Sequence, residues 1–188
     1  MAAVSNATGV FTGIDELHVI PGGFGTGFTI PSGKTLTEVP VAEDSGFTYT
    51  GGTPSTERYR IHGLSTPWSV KMTPGDAETA LFIPQITKDL LVLFGFDADD
   101  LTINSLLGRK WSGTKFKESA HEVVLGIAAV NRTDDQLFAI KKSKFLATIV
   151  ADSLDSAKPV GISLTGASAS GTDADAMFIG DVESDSSN

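Results

Sequence analysis

The stretch Glu122-Val-Val-Leu-Gly-Ile-Ala-Ala-Val130 is followed by Asn131-Arg-Thr-Asp-Asp135 and then by Leu137-Phe-Ala-Ile140. The first block is an apolar run rich in Val and Ala. The second is a cluster of turn formers, and the third resumes the apolar pattern. Such an order reads as strand, turn, strand. Downstream, Phe145 to Val150 and Val160 to Leu164 flank the polar segment Asp152 to Lys158 as the two arms of a hairpin would.

The same signals extend toward the N-terminus. Leu17 to Ile20 is short and β-prone, and Pro21-Gly22-Gly23 stops it. Phe47-Thr48-Tyr49-Thr50 alternates aromatic and polar residues before Gly51-Gly52, as a half-buried strand does. Arg58 to Gly63 and Trp68 to Met72 are further strand candidates, and Asp76 to Leu81 fits either a helical turn or a strand end. Only one helix is predicted, over Thr87 to Gly95. Thr87 is placed to cap it, Asp89 suits the positive end of its dipole, and Gly95 is placed to end it. Leu90 to Phe94 make it apolar nearly all round, so it must be buried. The fold class is therefore mainly β, with one short helix.

Composition agrees. The chain has 188 residues, 20 Gly and 8 Pro, and it is 40% hydrophobic. That is enough for one domain with a core of its own. Its formal charge is -9, from 14 Lys and Arg against 23 Asp and Glu. An acid excess argues against a protein that grips nucleic acid over its whole surface. The charge is segregated: before Arg58 the only base is Lys34, none follows Lys158, and the stretch from Arg109 to Lys144 is locally basic. Solvated strand faces account for this pattern, and so do unlike patches that meet between neighbouring copies. Zero cysteine excludes disulfides, Cys-ligated metals and a thiol nucleophile.

No catalytic or cofactor motif is complete. His18, His62 and His121 lie far apart, without a second ligand at metal spacing. Asp97-Ala-Asp-Asp100 lacks the glycine and glutamate of a calcium loop and reads as a solvated loop after the helix. Gly33-Lys34-Thr35 ends like a phosphate-binding loop, but Phe28 stands where its first glycine belongs and no helix pattern follows. Gly22 to Gly27 reads as a flexible loop, since it opens no helix. No serine sits in a nucleophile elbow. Met1 to Thr12 lacks a basic and apolar leader, and no run approaches the ~20 apolar residues of a spanning helix. The expectation is a soluble protein made in the cytoplasm, with no enzyme activity, no cofactor and no metal.

The order of features resembles the major tail proteins, the tail-tube subunits of bacteriophages with long, non-contractile tails. The features are the strand end at Val19-Ile20-Pro21-Gly22, the aromatic strand at Phe47 to Tyr49, and an apolar helix ending in Phe94-Gly95 before the acidic Asp97 to Asp100. The resemblance spans residues 10–168. It implies a β-sandwich or barrel of two packed sheets flanked by one helix. It also implies a homo-hexameric ring that stacks into a hollow tube in the virion, conducting DNA without specific binding. Tape-measure, tail-terminator and distal tail proteins are the implied partners.

On that mapping residues 1–168 form the tube domain with an N-terminal arm. Residues 169–188 form a flexible acidic tail whose island Met177-Phe178-Ile179 could pair with a neighbour's sheet edge. The connector carrying Phe47, Tyr49, Gly51 and Gly52 is the candidate inter-ring loop. Trp68, Leu90, Leu93 and Phe94 are candidates for the core or the ring interface. For Trp68 and Trp111 the core is the expectation. An acidic lumen wall would repel phosphate and let a duplex slide. The alternatives from the same composition are a head decoration or head–tail joining protein, or a carbohydrate-binding β-sandwich. The last is disfavoured by having only two Trp and two Tyr to stack on sugars.

Overall fold

The computed structural model describes residues 13–41, 46–52, 54–59, 62, 66, 69–73, 75, 77–117, 120–133, 135–151, 160–168 and 177–181. Among the described residues the chain is mainly β with a single short α-helix. In chain order the elements are β1 (Glu16–Pro21), β2 (Thr37–Val39), β3 (Phe47–Thr50), β4 (Ser55–Tyr59), β5 (Ser69–Thr73), β6 (Glu78–Ile83), α1 (Lys88–Leu93), β7 (Ala98–Leu106), β8 (Arg109–Phe116), β9 (His121–Asn131), β10 (Gln136–Val150), β11 (Gly161–Ser168) and β12 (Met177–Asp181). One eight-stranded sheet runs β2-β1-β9-β10-β11-β6-β3, with β12 also on β10, while β4–β5 and β7–β8 are separate hairpins.

The strand-turn-strand stretch builds the spine of this sheet. β9 pairs with β10 along the whole of β9, from Gln136 opposite Asn131 to Ala147 opposite His121. The outer edge of β10 is shared: β12 takes Gln136 to Ile140 and β11 takes Ser143 to Val150. The register shifts between Ile140 and Ser143, where β10 has one more residue than β9. This β-bulge has a clear sequence cause. Phe138 and Ile140 point into the core, and so do Phe145 and Ala147, so the inward set changes from even to odd positions. Without an extra residue one half of β10 would turn its apolar side chains to water.

A bulged strand bends, and here the bend folds one sheet into two layers. β2-β1-β9-β10-β12 form the first layer, and β9-β10-β11-β6-β3 form the second. A flat sheet would hold β3 three strand spacings, about 14 Å, from β10. Instead the Phe138 ring lies 6.0 Å from Phe47 and 5.7 Å from Tyr49, centre to centre. Leu17, Val19, Val39, Ile127 and Ala129 of the first layer share one core with Leu81, Ile83, Ile162 and Leu164 of the second. The two-layer β-sandwich expected for the chain is thus made by one continuous sheet.

The helix closes this core. Thr87 Oγ1 accepts a hydrogen bond from the Leu90 N–H at 3.3 Å, as its capping position requires. Gly95, at φ +82°, takes the left-handed turn that ends the helix. The Phe96 N–H then reaches the Leu91 carbonyl and the Gly95 N–H reaches that of Val92, which is a Schellman ending. Such an ending favours an apolar residue after the glycine, and Phe96 is buried there against the ring of His121. With six residues, α1 is shorter than its apolar pattern allowed.

The outside of the first layer is covered as well. Gly22 to Thr29 do not form a loose loop: Gly22, Phe24 and Gly25 donate backbone hydrogen bonds to Val124, Lys141 and Thr29. They lay Phe24 over Gly126, where an added Cβ would come within 2.6 Å of the Phe24 ring. Phe28 bridges Phe24 and Phe178 of β12. This explains why Glu122 to Val130 reads as apolar on both faces. Leu125, Ile127 and Ala129 face the core, while Gly126 and Ala128 make room outside for rings.

Other elements depart from the sequence reading. Asp97 to Asp100 is not a loop, because Ala98 already opens β7. The ambiguous Asp76 to Leu81 segment contributes to the strand β6. Of the candidate at Arg58 to Gly63, Arg58 and Tyr59 belong to β4, and Arg60, Ile61 and Gly63 lie outside the described residues. Within 169–188, Met177 to Asp181 form β12 on β10 of the same chain, and the rest of that segment lies outside the described residues.

Candidate assembly surfaces

Three features lie outside or at the edge of the core: two hairpins and a cleft. β4 and β5 pair from Ser55–Thr73 to Tyr59–Ser69, and every one of their residues is exposed. Their Tyr59, Val70 and Met72 are more than half in solvent. β7 and β8 pair from Ala98–Phe116 to Leu106–Arg109. Strand alternation makes this second hairpin amphipathic. One face carries Leu101, Ile103 and Trp111, all exposed; the other carries Asp100, Thr102, Ser112 and Thr114. The Trp111 indole N–H donates to the Leu106 carbonyl at 2.8 Å and so stays folded over the turn.

Ion pairs hold the root of that hairpin. Lys88 of α1 meets Asp100 at 2.8 Å, Lys117 meets Asp97 at 2.8 Å, and Lys115 meets Asp99 at 3.4 Å. The hydrogen bond that Lys88 donates to Asp100 raises the Lys88 pKa, and the one that Lys117 donates to Asp97 lowers the Asp97 pKa. These pairs are exposed, so they set direction and contribute little stability.

The cleft, of about 770 Å³, opens between the layers beside β1, β2 and β3. Leu17, Val39, Val41, Phe47, Tyr49 and Phe138 give it an apolar floor, and Asp15, Glu16 and Glu38 lie at its margin. Glu16 is held in an ion pair at that margin. Arg132 Nη2 donates to Glu16 Oε2 at 2.8 Å, and His18 Nε2 donates to the same oxygen at 3.1 Å. The Arg132 hydrogen bond first, and the His18 bond second, lower the Glu16 pKa from its ordinary 4.5 to about 2. A depressed carboxylate pKa stabilises the fold above the unfolded value and loses that contribution as pH falls through the folded one. Glu16→Gln is therefore expected to flatten the decline in the urea midpoint between pH 4.5 and pH 2. An unchanged pH profile would show that the pair does not tie β1 to the β9–β10 turn.

The sequence-predicted residues divide between surface and interior. Phe47 and Tyr49 belong to β3 and turn their rings inward to Phe138, at the cleft. Gly51 and Gly52 follow β3 outside any strand, with Gly51 exposed. Leu90 and Phe94 are buried in the core, and Leu93 packs partly buried against it. Trp68 lies outside the described residues. Trp111, expected in the core, is 46% exposed, because β7–β8 leaves the body of the fold. The hairpin itself escaped sequence reading, although Leu101 and Ile103 alternate with polar residues.

Among the described residues no group of three or more His, Cys, Asp or Glu side chains could hold a metal ion. Among the same residues no helix is long and apolar enough to cross a membrane. No protein-family model and no curated protein matches the chain.

Proposed function

We propose that the chain is a structural virion protein, the subunit of a phage tail tube. Six copies close a ring, rings stack into a tube, and DNA passes through its lumen into the host. The observation that carries this reading is the pair of hairpins outside a core that is already complete. A two-stranded hairpin is marginal by itself in water, and apolar faces such as Leu101-Ile103-Trp111 mark surfaces that another molecule covers. Charge supports it too. A chain of net charge -9 offers passing DNA little to grip, while its basic stretch from Arg109 to Lys144 suits acidic surfaces of a neighbouring copy. Tape-measure, tail-terminator and distal tail proteins would bind the tube's interior and ends.

Negative-stain electron microscopy of the purified protein across salt concentrations tests the proposal. Rings and tubes of six-fold symmetry are the expected result. A monodisperse monomer at high concentration under all salts would overturn it. Closed rings that never stack would favour a head–tail joining protein, and glycan binding by a monomer would favour a carbohydrate-binding sandwich.

A further inference from the structure

We propose that the tip of the β7–β8 hairpin of one copy seats in the cleft between the layers of a second copy, head to tail. This inference rests on the self-assembly reading above and names the surfaces that meet. The tip is built against the interest of the isolated chain. Leu107 and Gly108 form a two-residue turn with φ of 56° and 70°. Both central positions of such a turn need positive φ, which suits Asn-Gly and penalises Leu. Leu107 is nevertheless there and is 86% exposed, so it gains nothing from its own fold to offset that cost. Strain combined with exposure at an apolar residue points to contact with another molecule.

The cleft has the complementary character. Leu106, Leu107 and Trp111 at the tip are exposed apolar groups, and the cleft, of about 770 Å³, is lined by the half-buried Val41, Phe47 and Tyr49. Arg109 and Lys110 follow the turn, both exposed, and the cleft margin bears Asp15, Glu16 and Glu38, of which Glu16 is already paired with Arg132 and leaves Asp15 and Glu38 as the acids that face a neighbour's bases. The apolar knob and its bases thus match an apolar floor with an acidic margin on a different part of the molecule. A contact between two different patches repeats from copy to copy and closes into a ring when the rotation allows.

Two measurements test the seating. Leu107→Asn improves the turn and removes the knob, so the urea midpoint should stay or rise while the concentration needed for assembly increases about tenfold or more. Assembly of this variant at the wild-type concentration would overturn the proposal. The second uses the absence of native cysteine. Mixed single variants Leu107→Cys and Val41→Cys, treated with a short bismaleimide, should give cross-linked dimers that neither variant gives alone. The double variant should give a ladder. No cross-link at any concentration overturns the seating. If tubes still form without the cross-link, the tube reading stands and the seating falls. If the ladder appears without rings or tubes, the seating stands and the tube reading falls.

Discussion

Phe94→Ala is expected to cost about 3–5 kcal/mol of folding stability, the range for emptying an aromatic site in a packed core. Phe94 has no solvent exposure and ends α1, with its N–H on the Leu90 carbonyl. A helix of six residues has no stability of its own, so α1 persists only through the burial of Leu90, Leu91 and Phe94. Removing the ring opens a cavity and also weakens the anchor of the helix. Against a typical total of about 5–15 kcal/mol, such a loss is a large fraction of what holds the domain together. Urea denaturation should show a lower midpoint at an unchanged slope. A loss under about 1 kcal/mol would mean that the helix is not part of the core.

Phe138→Ala is expected to cost a similar amount, about 3–5 kcal/mol, by a different route. Phe138 is 8% exposed on the first layer, and its ring meets Phe47 and Tyr49 of the second. Each aromatic pair contributes about 0.5–1.5 kcal/mol beyond the area it buries. A double-mutant cycle with Tyr49→Ala should therefore return a coupling of that size. Strict additivity would show that the two layers do not communicate through these rings. The substitution also deepens the cleft floor, so its effect on assembly should be compared with that of Leu107→Asn at matched stability.

The pairing of these two sites shows how far a linear reading reaches. Phe94 was legible as a buried helix residue because capping and helix ending are local: Thr87, Asp89 and Gly95 act within a few residues of one another. The strand at Phe47 to Thr50 was legible from its alternation, and the structure reproduces it residue for residue. Where its rings point was not legible. Alternation says that Phe47 and Tyr49 share a face, but only the bend at the β10 bulge turns that face toward Phe138. Phe47 and Tyr49, assigned by the resemblance to a connector between rings, lie in β3 with their rings against Phe138.

The hairpin β7–β8 was missed for a related reason. Its start, Asp97 to Asp100, is acidic because those carboxylates meet Lys88, Lys115 and Lys117, partners up to twenty residues away in sequence. Its turn carries Leu-Gly in place of the Asn-Gly or Asp-Gly that marks a hairpin tip. Trp111 was expected inside because large aromatic residues are usually well buried. Its exposure follows from the path of a hairpin that the body does not cover.

Residue order and composition alone determined a single, mainly β chain with one capped helix and no thiol chemistry. They did so because hydrophobic period, turn formers and caps act over a few residues. Tertiary structure alone decided that one sheet makes both layers, that Met177 to Asp181 pair with β10 of their own chain, and that a cleft and a strained apolar tip lie on separate parts of the surface. Those facts depend on strand pairing across long separations. Pairing is settled by the whole sheet's register and curvature, which no local stretch encodes.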